Sequence, residues 1–386
     1  MINKTNKISN GVKKNSKITH IKAREILDSR GGWTVEVDLR TSQSLFRSSA
    51  PSGASTGKYE APVVSAKKAV ESINKIIAPK LKGKDVVNQQ GVDEFLIPEK
   101  FGANATTPLS MAVCRAGAAV QNIPLYKYIS KVYKGRPSAS LPKTSFNMIN
   151  GGAHASNQLD FQEFMAVCSI KEASKIYQDL RKKLGKNVGD EGGFVPNFKT
   201  PEEALNLLSR YNAKIIIDVA ASQFFKKGNY KVKNRTISRE KLLDYYLSLI
   251  KKYPILALED PFDEDDWQGW KKLKAESKKL KTLIIGDDLL VTNPERIKKA
   301  QQEKACNGLL LKINQIGTVT KALQAAELAK SFGWKIMVSH RSGETNDDFI
   351  ADFAVGIGAD FIKTGAPARG ERVAKYNRLL RISEEL

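Results

Sequence analysis

Six short apolar runs in the C-terminal two-thirds of the chain each stop on a charged residue or a polar cluster. They are Ile215-Ile216-Ile217 into Asp218, Ile255-Leu256-Ala257-Leu258 into Glu259, and Leu283-Ile284-Ile285-Gly286 into Asp287. The others are Leu309-Leu310-Leu311 into Lys312, Ile336-Met337-Val338 into Ser339-His340-Arg341, and Phe361-Ile362 into Lys363. Unbroken apolar runs of this length read as strands buried on both faces. Segments such as 318–332 between them have helical character, so the rhythm is repeated βα units. Side chains at the C-terminal ends of such strands gather on one rim, where a TIM-like (β/α)8 barrel builds its site. Here the rim receives three carboxylates, two lysines and a His-Arg pair.

At 386 residues the chain is long enough for two domains. A hydrophobic content of 41% and a charged content of 27% are those of a globular protein, and no apolar run reaches membrane-spanning length. Cys114, Cys168 and Cys306 form no CxxC pair and have apolar neighbours, which points to buried free thiols in a reducing, cytoplasmic compartment. The net charge of +22 raises nucleic-acid or membrane-surface binding. The lysines, however, are spread over helix-like segments without interleaved aromatics or a nucleic-acid-binding motif, so neither partner is expected. A positive field would still draw in an anionic substrate. Residues 1–17 hold five lysines and no acid or apolar core, which reads as a basic disordered tail rather than a secretory signal.

Residues 18–39 alternate like a strand ribbon, and 66–81 and 109–132 read as helices. Residues 18–140 are therefore expected to form an N-terminal α+β domain, with a lid loop at Pro51-Ser52-Gly53-Ala54-Ser55-Thr56-Gly57. That loop is not a P-loop: Ser52 stands where a glycine is needed, and Tyr59 follows Lys58 where a Ser or Thr is needed. Residues 141–386 are expected to form the barrel, starting with strands over 146–154 and 161–167.

Three carboxylates, Asp218, Glu259 and Asp287, on consecutive strand ends suit a hard divalent cation such as Mg²⁺, and no Cys or His pair is spaced for a softer metal. A single strand-end acid would be read as a helix cap; three in succession are not. Lys312, facing such a site, is a candidate general base with a lowered pKa. Glu191, in Gly189-Asp190-Glu191-Gly192-Gly193-Phe194, is a candidate general acid. His154 and His340 lie in Gly- and Ser-rich clusters, whereas His20 has no such setting and reads as structural. Ser339, Arg341 and Ser342 offer an anion clamp, and Lys363 a second cation. The set fits proton abstraction α to a carboxylate.

At this density of motifs the chain resembles the enolase family. The resemblance runs through Ala23-Arg24-Glu25-Ile26-Leu27-Asp28-Ser29-Arg30-Gly31, the lid loop, residues 147–154, Gln162-Glu163-Phe164 and 189–194. It continues with Asp218-Val219-Ala220-Ala221-Ser222, Glu259-Asp260-Pro261-Phe262, Gly286-Asp287-Asp288-Leu289, 310–315, 338–345 and 362–367. It implies a barrel opening ββαα and the reversible dehydration of 2-phosphoglycerate to phosphoenolpyruvate. A Lys base used with Mg²⁺ is known chemistry of that superfamily. By resemblance, Lys312 takes the C2 proton and Glu191, helped by Glu163, protonates the departing C3 hydroxyl. Asp218, Glu259 and Asp287 hold one Mg²⁺, and Ser55 contacts a second during turnover. Arg341 and Ser342 grip the phosphate, Lys363 the carboxylate side, and His154, Gln162 and His340 line the pocket. A homodimer is implied, with Glu36 and Arg381 at positions that pair across its interface. Two alternatives are a catalytically weak paralogue serving as a binding or scaffold protein and a sister enzyme acting on another acid. Departures from the family pattern are a short segment after Glu60, short spans on either side of Glu191, Gly32-Trp33 in place of Asn-Pro, and the basic charge.

Overall fold

The computed structural model describes residues 16–53, 57–134, 139–155, 157–232 and 235–386. The N-terminal part begins with an antiparallel sheet of β1 (His20–Leu27), β2 (Trp33–Arg40) and β3 (Leu45–Ser49). β1 and β2 pair from His20↔Arg40 to Leu27↔Trp33, and the Asp28 carboxylate closes their turn by accepting the Arg30 and Gly32 N–H groups. Alternation puts Val35, Val37 and Leu39 on one face, fully buried with residues of the 66–81 helical segment and of the helix Ala103–Val120. The single helix expected over 109–132 is two, Ala103–Val120 and Leu125–Lys134. Asn122 in the left-handed region (φ 52°) and Pro124 break it.

The barrel strands are β4 (Lys143–Asn150), β5 (Glu163–Val167) and β6 (Lys214–Asp218), followed after a small β7–β9 ribbon (Phe225–Lys226, Asn229–Val232, Arg235–Ile237) by five more. These are β10 (Ile255–Glu259), β11 (Leu283–Gly286), β12 (Gly308–Leu311), β13 (Lys335–Ser339) and β14 (Phe361–Lys363). They close in the order β4-β5-β6-β10-β11-β12-β13-β14. Two helices, Ile170–Leu184 and Pro201–Leu208, separate β5 from β6, so the barrel opens ββαα. Met165, Ile216, Ala257, Ile285, Leu310, Met337 and Phe361 fill the interior. Their strand neighbours, including Ile215, Ile217, Leu258, Ile284, Leu309 and Leu311, pack outward in the main core. Burial on both sides explains why the runs are continuous rather than alternating, and each such side chain contributes roughly 1.5–3 kcal/mol.

β5 runs antiparallel to both β4 and β6, while the other pairs are parallel. Its first residue, not its last, therefore stands on the rim where the parallel strands end. The N-terminal part docks beside that rim. Ser52 and Gly343 exchange backbone hydrogen bonds of 2.7 and 2.9 Å, and Arg115 bridges Asp347 and Asp348. The three thiols are free; Cys114 and Cys306 are buried, but Cys168 is only partly so. His20 lies exposed on β1.

Candidate active site

Asp218 and Glu259 are the last residues of β6 and β10 and are register partners, and Glu163 is the register partner of Asp218 on its other side. Three buried carboxylates on adjacent strands repel one another unless a cation lies among them. Lys363, ending β14 across the barrel, supplies it. Its Nζ lies 3.0 Å from Asp218 Oδ2, 2.8 and 3.0 Å from the two Glu259 oxygens, and 3.1 Å from Glu163 Oε2. Burial alone would lower the Lys363 pKa; the carboxylates of Asp218, Glu163 and Glu259 raise it well above the ordinary value. Gln162 donates to Asp218 Oδ2 at 3.2 Å and accepts from Gln223 at 2.6 Å.

Asp287 follows β11 and Lys312 follows β12. Lys312 Nζ lies 2.5 Å from Asp287 Oδ2, and Gln315 Nε2 donates to Oδ1 at 2.9 Å. The lowered pKa expected of Lys312 is not what this arrangement gives. Burial is the largest influence and pushes it down, but the facing carboxylates, Asp287 first and then Glu259, together raise the pKa. Beneath this pair Asp260, in the left-handed region at φ 43°, accepts the N–H groups of Asp287 and Asp288 at 2.8 and 2.7 Å. A carboxylate with two backbone donors fixes the loop that aims Asp287.

Glu191, Glu163 and His154 form a second cluster. His154 Nδ1 is 3.4 Å from Glu163 Oε1 and 3.7 Å from Glu191 Oε1. Glu191 Oε2 accepts from Asn147 Nδ2 at 3.1 Å and lies 3.2 Å from His340 Nε2. Burial would raise Glu191, but the facing His340 and His154 hold it well below the usual carboxylate range. Burial first, and then the Glu191 charge, push Glu163 up to about 7. Of the pair, Glu163 therefore holds a proton near neutral pH while Glu191 stays ionised. Gly193 is required here, since a Cβ would stand 2.4 Å from Asn150 Oδ1 and 2.8 Å from Asn147 Oδ1.

The arginine of the expected anion clamp is engaged. Arg341 forms a bidentate pair with Glu60, at 2.9 and 3.1 Å, and both side chains are buried. Ser339 Oγ donates to the His340 carbonyl at 2.9 Å, and Ser342 is buried beside them. One cavity is lined by His154, Gln162, Glu163, Glu191, Asp218, Asp287, Lys312, Ser339, His340, Arg341, Ser342 and Lys363. Glu259 lies below its floor, fully buried. Ser55 falls outside the described residues; Gly53 reaches the cavity edge.

Asp218, Glu259 and Asp287 do not converge on one point here. Among the described residues, the groups whose ligand atoms all lie within 4.8 Å are His154-Glu163-Glu191 and Asp260-Asp287-Asp288. The reason is the two ammonium groups: Lys363 sits between Asp218 and Glu259, and Lys312 holds Asp287. The donors nonetheless fit a hard divalent cation. Asp218, Glu259 and Asp287 supply oxygen only, and they stand on three neighbouring strands. The lysines also leave negative charge unbalanced. Glu259 is pushed well above the carboxylate range by burial and Asp218, and Asp288 up to about 7 by burial and Asp287.

Residues that strand-end reading missed are Asp260, Glu60, Asn147 and Arg372. The last had a sequence signal. The helix Gly370–Glu385 buries Arg372, Lys375, Tyr376, Leu379 and Ile382, a helical stripe with two cations on its core face. Buried cations require partners.

No helix among the described residues is long and apolar enough to cross a membrane. Residues 18–129 match the family model described as "Enolase, N-terminal domain", and residues 138–386 the one described as "Enolase, C-terminal TIM barrel domain". A curated relative, "Enolase" of Solanum lycopersicum, is 48% identical over an alignment covering 96% of this chain and 95% of that protein. With both domain families matched in order around a ββαα barrel, the chain belongs to the enolase family.

Proposed function

We infer that the protein catalyses the reversible dehydration of 2-phosphoglycerate to phosphoenolpyruvate, as a lyase of glycolysis and gluconeogenesis. The observation that carries the residue assignment is the placement of a lysine and a buried acid pair on opposite sides of one polar cavity. Lys312 Nζ takes the proton from C2, and the electron pair left behind moves into the substrate carboxylate as an enediolate. That pair then forms the C2–C3 double bond, and the C3 hydroxyl leaves as water with a proton delivered at Glu191, which draws it from Glu163, the neighbour that retains one near neutral pH. Lys363 faces the substrate carboxylate, Arg341 and Ser342 the phosphate, and Gln162, Ser339 and His340 complete the wall. Arg341 exchanges Glu60 for the phosphate, one bidentate acceptor for another.

Asp218, Glu259 and Asp287 would hold one Mg²⁺ and Ser55 would contact a second; bound there, such ions would supply positive charge for the developing enediolate and for Asp287, leaving Lys312 free to accept a proton. We assign residues 18–140 to the N-terminal domain and 141–386 to the catalytic barrel, and place the protein in the cytoplasm as a homodimer. Glu36, which pairs with Arg24 at 2.5 Å, and the exposed Arg381 would meet at the dimer interface. Family membership and the presence of every expected catalytic side chain favour an enzyme over a scaffold.

The test is phosphoenolpyruvate absorbance after adding 2-phosphoglycerate with and without Mg²⁺, alongside Lys312→Ala. Mg²⁺-dependent turnover that falls by at least about 10³-fold in the variant is expected. A folded unmodified protein without turnover, or a variant as active as its parent, refutes the assignment.

A further inference from the structure

His340 and Glu191 reach the cavity from different loops, and one buried side chain touches both. Arg372, fully buried on the C-terminal helix, places Nη1 2.6 Å from His340 Nδ1 and 2.6 Å from the Arg341 carbonyl. Its Nη2 donates to the Ser342 carbonyl at 2.5 Å and to the Asp190 carbonyl at 3.2 Å. A guanidinium can only donate, so Nδ1 of His340 must accept and carry no proton. The ring proton is then on Nε2, the atom 3.2 Å from Glu191 Oε2. Gly365 lets the arginine in. At φ 78° it has no room for a side chain, because a Cβ would lie 2.9 Å from both Arg372 Cδ and the Glu191 carbonyl.

We propose that Arg372 is a positioning residue that locks His340 as the Nε2–H tautomer facing Glu191 and ties the Asp190-Glu191 loop to the His340-Arg341-Ser342 loop. His340 is thereby a fixed neutral ring whose Nε2–H stands 3.2 Å from the acid, rather than a second proton source. The proposal deepens the dehydration reading and rests on it for the role of Glu191. The titratable groups facing the ring are Glu191 at Nε2, Arg372 at Nδ1 and, beyond them, Glu344. Burial and the Arg372 charge favour the neutral ring, whereas Glu191 and Glu344 oppose it. The structural argument is independent of that balance, since protonated Nδ1 would meet a donor head-on.

The test reads the tautomer directly. The chain has three histidines, so ¹⁵N-histidine spectra of the unmodified protein and of His340→Gln identify the His340 signals. An unprotonated Nδ1 and a protonated Nε2, unchanged between about pH 5.5 and 8.5, are expected. A protonated Nδ1, or averaging of the two nitrogens, overturns the proposal without any variant. Arg372→Met should release the ring to tautomer exchange and lower kcat by about 10- to 100-fold, the usual cost of losing an outer-shell partner. Arg372→Lys, with one donor restored, should keep the tautomer and recover part of that loss. Folded Arg372→Met with the parental ring signals overturns the proposal even if kcat falls; if that variant does not fold, the parental and Arg372→Lys spectra decide. The spectra need no turnover, so an inactive protein with a locked ring would refute the dehydration reading and leave the lock in place.

Discussion

Replacing Lys363 with methionine keeps the length of the side chain and removes the ammonium that lies within about 3 Å of Glu163, Asp218 and Glu259. Breaking a buried ion pair from one side costs roughly 3–5 kcal/mol. For 386 residues the unfolding entropy is about 0.8 kcal/mol/K, so the melting temperature in EDTA should fall by about 4–6 °C at pH 8.5. The pH dependence has a definite sign. Glu163 and Glu259, already raised by burial, rise further without the opposing Lys363 charge, so the folded variant binds protons more readily than the folded parent. Stability of the variant then rises as pH falls, and the gap to the parent narrows by pH 6. Mg²⁺ at about 100 times its Kd adds roughly 2.7 kcal/mol to a protein that binds it only when folded, so both proteins should melt higher than in EDTA. Circular-dichroism melts of both proteins, with EDTA and with Mg²⁺ at the two pH values, measure all of this. A variant that melts within about 1 °C of the parent in EDTA at pH 8.5, or a gap that widens on acidification, refutes the reasoning.

His340 is pushed down to about 4 by burial, against an ordinary 6.5. Its contribution, about 3 kcal/mol, is therefore fully present above pH 6.5 and lost as pH falls towards 4. Urea titrations over that range should show a stability slope that His340→Gln flattens; an unchanged slope counts against a neutral buried ring. Asp260→Ala should leave the Asp287 and Asp288 N–H groups without their acceptor and weaken Mg²⁺ binding by about 10- to 100-fold, measured by calorimetry, with Asp260→Asn losing less. Equal affinities in all three proteins would remove Asp260 from the support of the metal loop.

Strand positions were legible because apolar runs and their charged ends are local features, and the barrel only repeats them. The same rule put Asp218, Glu259, Asp287, Lys312 and Lys363 at strand ends, where the structure also has them. Glu163 was legible as a strand residue, but its place on the rim depends on β5 running backwards, which no local pattern encodes. Arg372 was written into a helical stripe, yet its partners lie on loops at Asp190 and at 340–342, far apart in the chain.

The sequence by itself determined the order of strands and helices and the kinds of charge brought to the rim, since periodicity and termination are properties of neighbouring residues. Only the tertiary structure decided which charges touch. Carboxylates in contact in a dry interior together outweigh burial, so Asp287 and Glu259 raise Lys312, which burial alone would lower, and Lys363, reaching across the barrel, lies among three acids that would otherwise repel. Contact distance, set by the closed barrel, decides the protonation of a group whose identity the chain had already supplied.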